Sequence, residues 1–137
     1  MRGYVETSRA REAHGIMKTC LIVDDSVVVR KLARMMVEDM GFDCTEVGDG
    51  QKALDFCVQL LPDVILLDWN MPVMNGMEFM AALRDMPGGQ DVKIIFCTTE
   101  NEMGAIKTAL AAGADEYIMK PFDNDILESK FREVGVL

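Results

Sequence analysis

The sequence has a single histidine, His14, and four cysteines, Cys20, Cys44, Cys57 and Cys97, none of them in a C-x-x-C pair. A tetrahedral zinc site is therefore unattractive, and so is a Ser-His or Cys-His nucleophilic pair. Three of the cysteines sit inside or beside apolar runs, which reads as buried free thiols in a reducing cytoplasm. No apolar run approaches the ~20 residues a membrane span needs. The first residues hold Arg2, Arg9 and Arg11 but no apolar core, so they are not a secretory signal. Basic residues are in the minority, 14 against 23 acidic, for a formal net charge of −9. Such a chain repels phosphate backbones, which argues against nucleic acid and anionic membranes as partners.

What is present is one domain's worth of well-patterned chain. Its 137 residues are 50% hydrophobic, enough for a core without covalent or metal staples. Residues 1–16 are polar, mixed in charge and without a periodic stripe; they read as an N-terminal extension, with Met17 an alternative start and the domain spanning 17–137. From residue 19 the pattern alternates. Short apolar runs at Cys20–Val23, Cys44–Val47, Val64–Leu67, Val92–Cys97 and Glu116–Met119 read as strands. Between them lie helical stripes: Val29, Leu32, Ala33, Met36 and Met40, then Gly41 as a C-terminal cap; Ala53, Leu54, Cys57 and Leu61; Met77, Met80, Ala81 and Leu83; Ile106, Ala109 and Leu110; and Leu127, Phe131 and Val134. Five β-α repeats predict a parallel α/β sheet with helices on both faces. The flavodoxin-like strand order 2-1-3-4-5 is the expectation. Nothing after the fifth helix is long enough for an effector domain.

In a sheet of this kind the site lies beyond the carboxyl ends of the strands. The first strand ends in Asp24-Asp25-Ser26, the third in Asp68-Trp69-Asn70-Met71-Pro72, the fourth in Thr98-Thr99-Glu100 and the fifth in Lys120-Pro121-Phe122. These four strands are neighbours in the expected order, so the four ends converge. Two carboxylates ~4 Å apart repel by about 4 kcal/mol at an effective dielectric near 20. A hard divalent cation with oxygen ligands compensates, and magnesium combines one or two carboxylates with waters and phosphate oxygens. Lys120 adds a point charge able to pair with Asp68. Taken singly, each residue has a plainer role: Ser26 or Asp25 as a helix N-cap, Lys120 as a solvated surface charge. Four strand ends failing together is the less economical reading.

The set Leu21-Ile-Val-Asp24-Asp25-Ser26, Leu66-Leu67-Asp68-Trp69-Asn70-Met71-Pro72 with Asn75-Gly76, Thr98 and Lys120-Pro121-Phe122 resembles the receiver domains of bacterial response regulators. The resemblance spans residues 18–137, and the Asp68-Trp-Asn-Met-Pro run is similar to single-domain chemotaxis regulators of the CheY type. It implies that Asp68 is the phosphoacceptor, attacking a phosphohistidine on a sensor kinase or a histidine phosphotransfer protein. It implies Mg2+ on Asp25, Asp24, Asp68 and the backbone carbonyl of Asn70. Thr98 and Lys120 would hold phosphoryl oxygens, and Tyr117 would be an aromatic switch. Asn70 and Glu100 would tune dephosphorylation, and Lys120-Pro121 would be a cis peptide. The output would be a protein target on the fourth helix, fifth strand and fifth helix, in chemotaxis or a related pathway.

One position departs from the commoner pattern. Thr99 stands where Ala is frequent, and its bulk would hinder Tyr117 from turning inward. The chain has no nucleotide-binding glycine loop, so it reads as a recipient of phosphate, not a kinase, and as no enzyme beyond assisting its own phosphorylation and dephosphorylation. A phosphotransfer intermediate or a kinase regulator within a phosphorelay is the alternative. A phosphatase of the haloacid dehalogenase type also uses an aspartyl phosphate but needs D-x-D at its first strand, where this chain has adjacent aspartates.

Overall fold

The structure, a computed structural model, describes residues 17–99, 102 and 104–137. The expected extension over residues 1–16 lies outside these. Strands β1 (Thr19–Val23), β2 (Asp43–Val47), β3 (Val64–Asp68), β4 (Lys93–Thr98) and β5 (Glu116–Met119) alternate with helices α1 (Val27–Asp39), α2 (Gly50–Gln59), α3 (Gly76–Arg84), α4 (Ala105–Ala111) and α5 (Asn124–Glu133). All strand pairings are parallel, in the order β2-β1-β3-β4-β5. This is the flavodoxin-like order that the sequence implies.

Two cores hold the sheet between its helix layers. Cys20, Ile22, Val64, Leu66, Ile95, Cys97 and Ile118 pack under α1 and α5, against Ala33, Val37, Leu127 and Phe131. The alternate residues Leu21, Val23, Ile65, Leu67, Ile94 and Phe96 pack under α2, α3 and α4, against Ala53, Phe79, Leu83 and Ala109. Central strand β3 is buried along its whole length, as a strand covered on both faces must be.

Caps fix where most helices begin. The Ser26 hydroxyl accepts from the Val29 amide at 3.2 Å, and Asp49 and Asp123 accept at the starts of α2 and α5. Asn75 and Glu78 form a reciprocal capping box on α3, at 2.9 and 3.0 Å. Helix α4 is the exception: it has seven residues, follows Gly104 with no side-chain cap, and buries only Ala109. Gly41 takes φ +91° after α1, the left-handed geometry expected of its capping role.

Several stripe residues differ from the sequence reading. On α1, Val37 is fully buried and Leu32 is 53% exposed, because the helix rests on the sheet through the arc centred on Ala33 and Val37. On α3 Phe79 joins the expected Met80 and Leu83 in the core, while Ala81 faces outward. On α4 Leu110 is exposed. The α2 stripe holds at Ala53 and Cys57, and the α5 stripe holds at Leu127, Phe131 and Val134.

Candidate functional site

Parallel register brings the four polar strand ends together. Val23 is level with Leu67, Asp68 with Cys97 and Thr98 with Met119. The first polar residues past β1 and β5 are Asp24 and Lys120, so both arrive at the mouth of β3.

Asp24 is held at every polar atom. Its amide donates to the Val47 carbonyl at 3.2 Å, and its carbonyl accepts from Arg30 Nη1 at 2.7 Å. Its Oδ1 accepts from the Ser26 amide at 2.9 Å, and its Oδ2 faces Lys120 Nζ at 3.1 Å. Asp25, next in the chain, is exposed. Asp68 is buried, and its Oδ1 lies 3.1 Å from the same Lys120 ammonium. Carboxylate oxygens of Asp24, Asp25 and Asp68 lie within 4.8 Å of one another. Such a group of hard oxygen donors suits a divalent cation.

The electrostatics follow from crowding. Burial pushes the Asp68 carboxyl up to about 6, the Asp24 charge adds to the rise, and Lys120 opposes it. Burial works to lower the Lys120 ammonium, but Asp68 and Asp24 outweigh it and hold the group well above the ordinary lysine range.

The loop after β3 is shaped by glycine. A Cβ on Gly76 would collide with the Asp68 carbonyl oxygen, and one on Gly50 with the Met74 carbonyl oxygen. The Gly76 amide donates to the Trp69 carbonyl at 3.1 Å, and the Gly50 amide to that of Met74 at 3.0 Å. Within the loop Val73 takes φ +68°, under a 2.7 Å bond from the Met74 amide to the Pro72 carbonyl. This is a tight three-residue turn at a sterically disfavoured geometry for a β-branched residue.

The remaining expected residues surround this centre. Asn70 is exposed in the loop. Thr98 is fully buried, and its hydroxyl donates to the Thr99 carbonyl at 3.3 Å rather than to a carboxylate. Tyr117 is half-buried against the core under α2, α3 and α4, with Lys130 Nζ 4.6 Å from its ring centre. The Lys120-Pro121 peptide is cis. Glu100 lies outside the described residues.

Thr99 donates to Glu102 at 3.2 Å and lines a cavity of about 390 Å3 with Leu32, Met36, Pro121 and Phe122. That cavity opens beside α1, whereas Tyr117 packs into the other core.

Sequence reasoning missed Arg30 and Glu46. Glu46 on β2 has a side chain only 7% exposed, and it receives Arg30 Nε at 3.3 Å, Lys31 Nζ at 3.0 Å and Arg34 Nη1 at 2.9 Å. Burial alone would raise its carboxyl, but hydrogen bonds from Arg34 and Lys31 hold it below the usual range.

A fold of this topology with an acidic mouth between β1 and β3, a lysine after β5 and a hydroxyl at the end of β4 defines a class of signalling domain. The chain belongs to the response regulator receiver domain family, whose model matches residues 20–132, and is thus a receiver domain of two-component signalling, not a conventional enzyme. It is similar to a chemotaxis protein CheY homologue of Campylobacter jejuni, 36% identical over 116 residues, covering 83% of this chain and 89% of the relative. It is also similar to the phosphate regulon transcriptional regulatory protein PhoB of Pseudomonas aeruginosa, 36% identical over 117 residues. There it covers 85% of this chain but spans only 51% of the relative's length. Among solved structures, the chemotaxis response regulator CheY4 of Vibrio cholerae matches with a TM-score of 0.80 and 33% identity, over 86% of this chain and 98% of that one. The receiver domain of sensor histidine kinase PA1611 from Pseudomonas aeruginosa, solved with a magnesium ion coordinated in its active site cleft, matches with a TM-score of 0.79 and 29% identity, over 87% of this chain and 98% of that one. No helix among the described residues is long and apolar enough to cross a membrane.

Proposed function

We propose that this chain is a stand-alone response regulator that accepts a phosphoryl group on Asp68 and signals by binding a protein target when phosphorylated. The observation that carries this reading is the buried Asp68 carboxylate, paired at 3.1 Å with Lys120 and set among the Asp24 and Asp25 oxygens. Similarity to CheY-type proteins supports a chemotaxis-type pathway. The receiver unit is taken to be residues 17–137, in the cytoplasm, with residues 1–16 dispensable to it.

In the proposed reaction an Asp68 carboxylate oxygen attacks phosphorus. The P–N bond of the donor phosphohistidine breaks, and its electron pair returns to the imidazole nitrogen. Charge builds on the equatorial phosphoryl oxygens, so the protein's work is positioning and neutralisation. Lys120 provides one positive charge, and the Thr98 hydroxyl provides a hydrogen-bond donor once it leaves the Thr99 carbonyl. Asp24, Asp25, Asp68 and the Asn70 carbonyl would hold Mg2+, which when bound supplies further charge neutralisation. The donor set fits such an ion by its hard oxygens, and the magnesium in the PA1611 receiver domain supports the choice. Asn70 and Glu100 set how readily water reaches the acyl phosphate.

The output surface is α4, β5 and α5. Helix α4 is short and uncapped, so its hold on the domain is weak and a change near Tyr117 can shift it.

Acetyl phosphate with magnesium tests the reading. Intact mass should rise by one phosphoryl group, and Asp68→Asn should stay unmodified. Equal modification of the variant would overturn it.

A further inference from the structure

We propose that Arg30 is a positioning residue for the acidic pair. It acts on Asp24 through the backbone, and so sets how well the site binds a divalent cation. The inference rests on the metal-binding role proposed above.

The geometry is specific to this residue. Among the described residues, Arg30 is the one cation of the Glu46 group whose hydrogen bonds reach the β1–α1 loop: Nη1 donates to the Asp24 carbonyl at 2.7 Å while Nε faces Glu46 at 3.3 Å. Arg34 shares the same carboxylate, but its second donor goes to the Cys44 carbonyl at 2.9 Å, within β2. The Lys31 side chain is 62% exposed and, among the described residues, pairs with Glu46 alone. A guanidinium is a planar fork, so two acceptors held at once fix its orientation. One acceptor here is a nearly buried carboxylate on the neighbouring strand, and the other is the carbonyl that leads directly into Asp25. Gly48 leaves the room: a Cβ there would stand 3.3 Å from Arg30 Nη1.

The physical consequence concerns preorganisation. Among the described residues, the backbone of Asp24 and Asp25 in the β1–α1 loop is tied to a strand only by the bond from the Asp24 amide to the Val47 carbonyl. Mutual repulsion of three carboxylates tends to open this loop. Arg30 ties the peptide between the two aspartates back to β2, which limits that opening before any cation arrives. Such an outer partner changes metal affinity without touching the metal.

The test is magnesium titration by calorimetry on the full chain, on Arg30→Met, on Arg30→Lys and on Arg34→Met, with amide hydrogen exchange in chelator alongside. Arg30→Met should weaken magnesium binding about 10-fold, the lower end for loss of an outer partner. Exchange at Asp25 and Ser26 should quicken in the same variant. Arg30→Lys keeps the charge but not the fork, so it should fall between. If Arg30→Met does not fold, the Lys variant decides by the same two readouts. Arg34→Met, which loses the same Glu46 pairing, should bind magnesium within twofold of the native chain. Native affinity in both Arg30 variants, or equal weakening in Arg34→Met, would overturn the inference alone. A native chain that binds no magnesium would overturn the proposed metal role and this inference with it.

Discussion

The ring of Trp69 stands edge-on to that of Phe96, with centroids 5.2 Å apart and planes at 84°. Trp69 is the only tryptophan and follows Asp68 directly. Its surroundings are therefore set by the loop that would accommodate the proposed cation and phosphoryl group. Fluorescence should change on adding magnesium and again on adding acetyl phosphate. An unchanging signal, while mass spectrometry shows Asp68 modified, would mean that the loop does not rearrange.

Removing the Asp68 charge should stabilise the metal-free protein at neutral pH. Its folded carboxyl titrates near 6, above the ordinary ~3.9 of an aspartate. The stabilising contribution of its protonated form is complete below the ordinary value and is lost as pH rises through about 6. At pH 7 the ionised group thus costs the fold roughly 2–3 kcal/mol by linkage. In chelator, Asp68→Asn should melt higher than the native chain at pH 7, and the gap should close on acidification towards pH 4. A lower melting temperature at pH 7 would show that the Lys120 pairing outweighs burial.

Thr98 should be needed for output and not for phosphorylation. Its hydroxyl is committed to the Thr99 carbonyl at 3.3 Å, a long bond that a phosphoryl oxygen can displace. A charge-assisted bond contributes ~1.5–3 kcal/mol, enough to move a two-state ratio by roughly tenfold or more. Thr98→Ala should accept phosphate at Asp68, yet hydrogen exchange around Tyr117 and residues 105–112 should no longer respond. A native response would send the signal by another route, with Thr99 the next residue to examine.

Val73 should be improvable. The residue is 80% exposed, so little packing offsets the cost of φ +68°. Glycine has no Cβ to clash at positive φ, and Val73→Gly should gain up to about 1 kcal/mol, seen as a thermal shift of a few degrees. A lower melting temperature would mean that the exposed isopropyl group has contacts in solution that the turn requires.

The fold was legible because strand and helix periods alternate cleanly from residue 19 onward, and because runs such as Val64–Leu67 are apolar throughout. The meeting point of Asp24, Asp68 and Lys120 was legible because the polar strand ends fall at the carboxyl side of four adjacent strands. What the pattern could not disclose was anything that depends on how two elements meet. Leu32 and Val37 are equally apolar, and only the tilt of α1 on the sheet decides that Val37 is the buried one. Arg30, Lys31 and Arg34 look like a solvated helical face until β2 brings Glu46 beneath them. Gly76 stands in the sequence only as part of the Asn75-Gly76 motif, whereas the structure shows why no Cβ fits there, against the Asp68 carbonyl oxygen.

One ammonium, that of Lys120, sits 3.1 Å from oxygens of both Asp24 and Asp68. It is a counterion built into the chain, and the resting mouth of the sheet carries its own partial neutralisation. Domains ordered only by their metal unfold when it is withdrawn. This one carries a covalently attached charge at the same place, so its fold does not wait on a metal, and any cation that binds the acidic group adds to its stability by mass action.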